Sequence, residues 1–235
     1  MSEVNTRAQT PNRLLTGLLR LAFRLLYHEL AWTYEAIAWL VSTGLWRRWR
    51  EASIDFLPSS GRVLEIGAGT GVLSLEMTRR GWPVVALDRS SQMIRNAVRR
   101  FRRTSSRTRS ARSPLLVRAD TAHLPFGREC FAATVSTFPT EYILSVQVIM
   151  EAVRVLEVGG RFIIVPNAAF TGTRLPQRWA RELFRVTRQA PAWIAPLVDS
   201  LSKSGLHTSS HEVAVGDSQV SILVGTKRQR TTGGE

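Results

Sequence analysis

The sequence Val63-Leu64-Glu65-Ile66-Gly67-Ala68-Gly69-Thr70-Gly71-Val72 decides the fold of this chain. It opens with a short apolar run typical of a buried strand, passes through three glycines and continues into a helical pattern. Glycine lets the backbone approach a ligand closely and adopt a positive φ angle. The stretch therefore predicts a strand, a tight turn and a helix, with a ligand at the turn.

The spacing of the glycines discriminates between ligands. The pattern is GxGxG, whereas a dinucleotide fingerprint has its third glycine one residue later, where Val72 stands. Glu65 precedes the first glycine by two residues. A carboxylate there would repel a pyrophosphate but attract a positively charged ligand, such as a sulfonium nucleoside. A nicotinamide dehydrogenase is therefore disfavoured.

Short apolar runs alternate with helical segments on the C-terminal side of this turn. We predict strands at 63–66, 84–88, 115–119, 132–137 and 161–165, with helices between them at 72–80, 91–102 and 145–156. Further helices are expected near 177–188 and 193–202, and an antiparallel hairpin at 212–215 and 220–224. Continuous apolar strands separated by helices predict an α/β, doubly wound and mostly parallel sheet.

Acidic residues follow three successive predicted strands, at Glu65, Asp88 and Asp120. Open α/β sheets bind ligands at the carboxyl ends of their strands. Asp88 is placed to accept hydrogen bonds from both hydroxyls of a ribose. Asp120 is placed to accept from an adenine amino group, and the Thr121 backbone N–H to donate to a ring nitrogen.

Four motifs resemble the class I S-adenosylmethionine-dependent methyltransferases, specifically the small-molecule group that includes the quinone and phospholipid methyltransferases. They are E-I-G-A-G-T-G from Glu65, A-L-D-R-S-S-Q-M from Ala86, A-D-T-A-H-L-P-F from Ala119 and E-V-G-G-R-F from Glu157. The resemblance covers residues 62–165. It implies a Rossmann-like fold of seven strands, with S-adenosylmethionine as the cofactor.

The resemblance also implies roles for individual residues. Those expected to hold the methionine moiety are Glu65, Gly67, Ala68 and Gly69. Asp88 would hold the ribose, Arg89 and Met93 the faces of the adenine, and Asp120 and Thr121 its edge. Ser136 or Thr137 would lie close to the reacting methyl group.

The N-terminal region is expected to form a helical cap. Residues 13–28 and 29–41 are helical in pattern and rich in leucine and tryptophan. We divide the chain into a tail and cap at 1–57, a methyltransferase domain at 58–226 and a disordered tail at 227–235. The resemblance implies that such a cap covers the cofactor and builds the acceptor pocket.

No catalytic residue is assigned, because transfer from a sulfonium requires little beyond positioning. Residues that could touch the acceptor are Tyr27, His28 and Tyr34 in the cap, Glu141 and Tyr142 after the fourth strand, and His123. Each has an ordinary structural alternative: His28 completes a solvated stripe, the tyrosines pack, and Glu141 starts a helix.

The formal net charge is +14, from 32 basic and 18 acidic side chains. The tract Arg95–Arg112 contains no acidic residue. It fits a solvated helix end, an anionic membrane or RNA phosphate. Cys130 is the only cysteine, which excludes an intramolecular disulfide and a cysteine-based zinc site and fits a reducing cytosol. No metal site is predicted.

The longest stretch without Asp, Glu, Lys, Arg or His runs over residues 162–173, shorter than the roughly 20 apolar residues that span a bilayer. We therefore predict a cytoplasmic enzyme, with peripheral contact at the inner membrane face left open. Its expected reaction is methyl transfer to a small, apolar or lipid-like acceptor. The alternatives are an RNA methyltransferase that uses the arginine tract and a catalytically silent cofactor-binding or scaffold protein.

Overall fold

The computed structural model describes residues 42, 44–105, 113–171 and 194–228. The predicted helices at 13–28, 29–41 and 177–188, and the last seven residues of the predicted tail, lie outside these residues. The described elements in chain order are as follows: α1 (Trp46–Glu51), a 3₁₀ turn (Ala52–Phe56), β1 (Val63–Ile66), α2 (Val72–Arg79), β2 (Val84–Asp88), α3 (Ser91–Ser105), β3 (Leu115–Arg118), β4 (Phe131–Thr137), a second 3₁₀ turn (Glu141–Leu144), α4 (Val146–Val155), β5 (Leu156–Phe170), α5 (Ile194–Lys203), β6 (Leu206–Ala214) and β7 (Ser218–Lys227).

The strands form one seven-stranded sheet in the order β3-β2-β1-β4-β5-β7-β6. The first five strands run parallel, while β7 pairs antiparallel with both β5 and β6. The chain moves outward from β1 to β3 and then returns to β4 on the other side of β1. This reversal creates a topological switch point between β1 and β4. The predicted doubly wound, mostly parallel sheet with an antiparallel C-terminal hairpin is confirmed.

Apolar layers cover both faces of the sheet. On one face α1 and α2 pack through Trp49, Leu73 and Met77 against Val63 and its neighbours. On the other face α4 and α5 pack against the alternate positions of the same strands. Because side chains alternate along a strand, Glu65 shares the face of Val63 and points toward α1 and α2. The alternation therefore places the Glu65 carboxylate between the sheet and these two helices.

Strand β5 is longer than the predicted 161–165, and the glycines explain its beginning. Between Phe131 and Ala133 of β4 the partner on β5 moves from Leu156 to Arg161, so extra residues bulge from β5. Gly159 accommodates the bulge with a φ of 78°. The sequence pattern detected only the regular part that follows.

The C-terminal part of β5 continues past a proline. Its pairing with β7 shifts between Ile164 and Asn167, which places Pro166 in an irregularity where the ladder needs no N–H donor. The hairpin strands are also longer than predicted, because β6 is an edge strand whose polar, mostly exposed residues carry no apolar pattern. Among the described residues, no helix has the length and apolarity to span a membrane.

Candidate active site

A cavity of about 670 Å³ opens at the carboxyl ends of β3, β2, β1 and β4, across the switch point. This volume lies within the range of roughly 300–1,000 Å³ that is usual for small-molecule sites. The cavity is lined by Trp46, Arg47, Arg50, Gly67, Ala68, Gly69, Thr70, Val72, Asp88, Arg89, Ser90, Met93, Arg100, Asp120, Thr121, Ala122, Thr137, Phe138, Pro139, Thr140, Tyr142, Ser145 and Val148. Nine of the eleven residues expected to bind the cofactor therefore share one cavity, and Glu65 and Ser136 do not line it.

The glycine turn gives the cavity a backbone floor. Gly67 has a φ of 72°, and a Cβ placed there would lie 2.5 Å from the Tyr142 hydroxyl. Gly69 has a φ of 59°, and nothing lies within 4 Å of the position its Cβ would take. The first glycine is thus required by a close contact within the protein. The second leaves open space through which a ligand can reach the backbone.

Asp88 is fixed by the backbone at the end of β2. One carboxylate oxygen accepts from the Gly69 N–H at 2.8 Å and the other from the Ser90 N–H at 2.8 Å. Burial raises the pKa of Asp88 above its ordinary value, and the two N–H donors oppose that rise. Each oxygen retains a lone pair, so the carboxylate can still accept from two ligand hydroxyls.

The residues after β3 form the opposite end of the cavity. The Asp120 carboxylate accepts from the Ala122 N–H at 3.0 Å and lies 3.8 Å from Arg89. Thr121 lines the cavity beside it, and Met93 contributes a buried apolar side chain from α3. This end therefore offers an apolar surface next to polar backbone and carboxylate groups, as an adenine ring requires.

Glu65, which is expected to hold the methionine moiety, does not line the cavity and lies buried behind its wall. Its side chain is fully buried, and one oxygen accepts from Arg50 Nη2 at 2.9 Å. The other oxygen accepts from the Ser74 hydroxyl. Burial raises the pKa of Glu65, whereas the charge of Arg50 and the two hydrogen bonds lower it.

Arg50 is the cavity residue that stands between Glu65 and the ligand space. Its Nε donates to Thr137 Oγ1 at 3.0 Å, so the guanidinium joins Glu65 of β1 to the end of β4. Arg50 was not among the predicted site residues, because α1 falls in the segment assigned to the cap and no motif spacing marks it. A buried acid in an apolar strand was the available signal that a cation must lie nearby.

Ser136 and Thr137 occupy different environments at the end of β4. Thr137 lines the cavity, whereas the buried Ser136 hydroxyl donates to the Ile66 carbonyl at 3.1 Å and lies 3.1 Å from the Tyr142 hydroxyl. Tyr142 lines the cavity, but its neighbour Glu141 is exposed and does not. The structure thus places Tyr142, but not Glu141, in the wall of the cavity. Tyr27, His28 and Tyr34 lie outside the described residues.

Phe138 adopts an unusual backbone conformation immediately after β4. Its φ is 49°, in the left-handed region that costs a residue with a side chain about 1–2 kcal/mol. Its N–H donates to the Val165 carbonyl at 2.7 Å, and its ring stacks on Trp46. Such outliers persist only where surrounding contacts hold them.

A second cavity, of about 720 Å³, lies at the opposite edge of the sheet. Trp82, Phe126 and the half-buried Cys130 contribute to its walls near the amino ends of β2 and β4. Parallel sheets bind ligands at their carboxyl ends, so the first cavity is the candidate active site. Within the described residues, no group of three or more His, Cys, Asp or Glu side chains could hold a metal ion.

Comparisons with known proteins agree with this geometry. Residues 64–164 match the family model described as a methyltransferase domain. The chain is 34% identical over 142 residues to a demethylmenaquinone methyltransferase of Thermobifida fusca, covering 59% of this chain and 58% of the relative. It is 32% identical over 148 residues to a ubiquinone/menaquinone biosynthesis C-methyltransferase of Syntrophotalea carbinolica, covering 60% of each. The chain thus spans less than two thirds of the length of these relatives.

Solved structures share the fold at low sequence identity. A protein of Methanococcus maripaludis named as an S-adenosyl-L-methionine-dependent methyltransferase superposes with a TM-score of 0.63 at 16% identity, covering 88% of this chain and 96% of its own. A geranyl diphosphate C-methyltransferase of Streptomyces coelicolor superposes with a TM-score of 0.57 at 14% identity, covering 80% of each chain. These likenesses show the fold.

Proposed function

We propose that residues 64–164, which match a methyltransferase domain, form a class I S-adenosylmethionine-dependent methyltransferase that methylates a small, lipid-like acceptor of quinone type. The observation that carries the proposal is the cavity at the switch point, which joins the glycine turn, two strand-end carboxylates and the end of β4. The names of the two curated relatives support a quinone acceptor.

The shape of the cavity and its hydrogen-bonding groups fit the cofactor. The open space above Gly69 admits a ligand to the backbone, and the Asp88 carboxylate beside it can accept from ribose hydroxyls. Met93 and Thr121 suit the face and the edge of adenine. When bound, S-adenosylmethionine supplies an activated methyl group, whose transfer breaks a carbon–sulfur bond and leaves the electron pair on sulfur.

The chain itself contributes position and desolvation. Arg50 links Thr137 at the end of β4 to Glu65 of β1, the strand that leads into the glycine turn. The Tyr142 hydroxyl lies against Gly67, and Tyr142 forms part of that side of the cavity. Holding two reactants in line can supply roughly 7–11 kcal/mol in favourable cases.

An arginine-rich surface supports peripheral contact with an anionic membrane. Arg95, Arg99, Arg102 and Arg103 are exposed on α3, at spacings that bring them to one side of the helix. Each basic residue near an anionic bilayer contributes about 1 kcal/mol of attraction. Phe101, the only aromatic residue in Arg95–Arg112, is buried, so base stacking by this tract has no support and the RNA alternative is weaker.

Partitioning of a labelled methyl group tests the proposal. The full chain is incubated with methyl-labelled S-adenosylmethionine and a fractionated cell extract, and label is measured in organic solvent, nucleic acid and polypeptide. We expect label in the organic phase, and less label with the Asp88→Ala variant at a cofactor concentration that does not saturate it. Label in nucleic acid would support the RNA methyltransferase instead. Cofactor binding without transfer to any fraction would support the catalytically silent protein.

A further inference from the structure

Two aromatic rings form a continuous wall at one end of the cavity. Trp46 of α1 and Phe138 after β4 both line the cavity, with ring centroids 4.3 Å apart and planes inclined by 28°. Both side chains are half-buried, so part of each ring is accessible. The stacked pair therefore contributes an apolar aromatic surface to the cavity, next to the polar glycine turn.

The wall is held rigidly from behind. Trp49 is fully buried, with its ring centroid 6.3 Å from that of Phe138 and 6.4 Å from that of Trp46. Its Nε1–H donates to the Ser218 hydroxyl at 2.6 Å, which ties the aromatic cluster to β7. The left-handed backbone of Phe138 is maintained against its own strain by these contacts. A ring held in place in this way is preorganised for stacking.

The wall lies at the end of the cavity that the donor does not need. The proposed donor contacts run from Asp120 after β3, through Asp88 after β2, to Gly67 after β1. Neighbouring strands are about 4.8 Å apart, so β4 lies about 14 Å from β3 along the sheet. Phe138, after β4, therefore borders the space that remains for an acceptor once the nucleoside is bound.

The chemistry of this space favours a planar ring that carries an oxygen. Aromatic side chains stack on flat rings in offset geometry, an interaction that a saturated ring cannot make. Arg50 also lines the cavity and donates to Thr137, the residue before Phe138. Its Nε donates to Thr137 and its Nη2 to Glu65, while its Nη1 donates to none of the described residues. A guanidinium N–H is thus available to a carbonyl or phenolate oxygen.

We propose that the Trp46–Phe138 pair binds the acceptor ring by stacking and thereby selects planar aromatic or quinoid acceptors over saturated ones. The proposal rests on the proposed function, in that the remainder of the cavity is assigned to the methyl donor. It goes further by naming the specificity-determining residues. Trp46 and Phe138 contact the ring, and Arg50 directs its oxygen toward Thr137.

Binding of a matched pair of probes tests this selection. The probes are 1-naphthol and decahydro-1-naphthol, which share a carbon skeleton and a hydroxyl but differ in planarity. Binding to the full chain is measured by equilibrium dialysis with saturating S-adenosylhomocysteine. We expect 1-naphthol to bind more tightly, and Trp46→Leu and Phe138→Leu each to weaken its binding about 3- to 10-fold while leaving that of decahydro-1-naphthol within about twofold.

Trp82→Leu is the matched control, because Trp82 is a half-buried tryptophan of the second cavity. It should leave binding of both probes unchanged. Equal binding of the two probes by the wild type, no binding of 1-naphthol, or wild-type affinity in both wall variants would overturn the proposal. S-adenosylhomocysteine affinity is measured for the wild type and for every variant, so that the proposed function and this inference are tested separately. A wild type that does not bind S-adenosylhomocysteine refutes the proposed function. A wild type that binds it but does not distinguish the two probes refutes only this inference.

Discussion

Replacing Arg50 by methionine should strongly destabilise the fold. Arg50 Nη2 lies 2.9 Å from Glu65 Oε1, and the side chains are only 10% and 0% exposed, so water screens the ion pair weakly. Methionine keeps much of the apolar stem of arginine but removes the charge and its donors. Glu65 would then be left as an uncompensated buried carboxylate beneath α1 and α2.

Removing one partner of a buried ion pair costs about 3–5 kcal/mol of unfolding free energy. Arg47→Met provides the comparison on the same helix. Arg47 pairs with Glu51 and Glu76, but its side chain is 57% exposed, and exposed pairs contribute roughly 0–1 kcal/mol. The two variants remove the same residue type and differ mainly in the burial of the pair.

Urea denaturation, followed by both tryptophan fluorescence and circular dichroism, measures the two losses. The Arg50→Met/Glu65→Met double variant should recover most of the stability lost in Arg50→Met, since replacing a whole buried pair by apolar residues is often close to neutral. Arg50→Met that loses less than about 1 kcal/mol, or a double variant whose loss equals the sum of the single losses, would refute the reasoning.

The pH dependence of the Arg50→Met variant provides an independent check. Burial raises the pKa of Glu65, and Arg50 is the largest opposing cause, so its removal raises that pKa further. An acid whose folded-state pKa is raised destabilises the fold when it is ionised. The deficit of the variant should therefore shrink as the pH falls through the raised pKa toward the ordinary value for glutamate.

Three further outcomes are expected. Asp88→Ala should weaken S-adenosylmethionine binding by about 1.5–3 kcal/mol in calorimetry. Binding by the wild type should also weaken as the pH falls. This weakening should begin above the ordinary pKa of aspartate, because burial raises the pKa of Asp88. Gly67→Ala should reduce cofactor affinity, because the new Cβ meets the Tyr142 hydroxyl at a φ of 72°. In the control Gly81→Ala the new Cβ has open space, so only stability should change. Equal cofactor affinities of the two variants would contradict this. Arg95→Gln/Arg99→Gln should reduce cosedimentation with phosphatidylglycerol vesicles and not with phosphatidylcholine vesicles, and unchanged sedimentation would remove α3 from the membrane contact.

The sequence alone determined the elements and the positions of the acids. The glycine turn, the strand before it and the helix after it depend on neighbours in the chain, so local periodicity was sufficient to predict them. Asp88 and Asp120 end adjacent parallel strands, and parallel strands present their carboxyl ends at one edge of the sheet. That these two acids line the same cavity therefore follows from the order and direction of the strands.

Only the tertiary structure decided what surrounds these residues. The partner of Glu65 and the stacking of Trp46 on Phe138 depend on how α1 packs across the sheet, which the burial of Trp49 determines. Residues so far apart in the chain are brought together by the packing of the whole core, and no local pattern encodes that distance. The sequence could therefore indicate a charged ligand site, while the structure alone showed that a cation neutralises its buried acid and that an aromatic wall borders it.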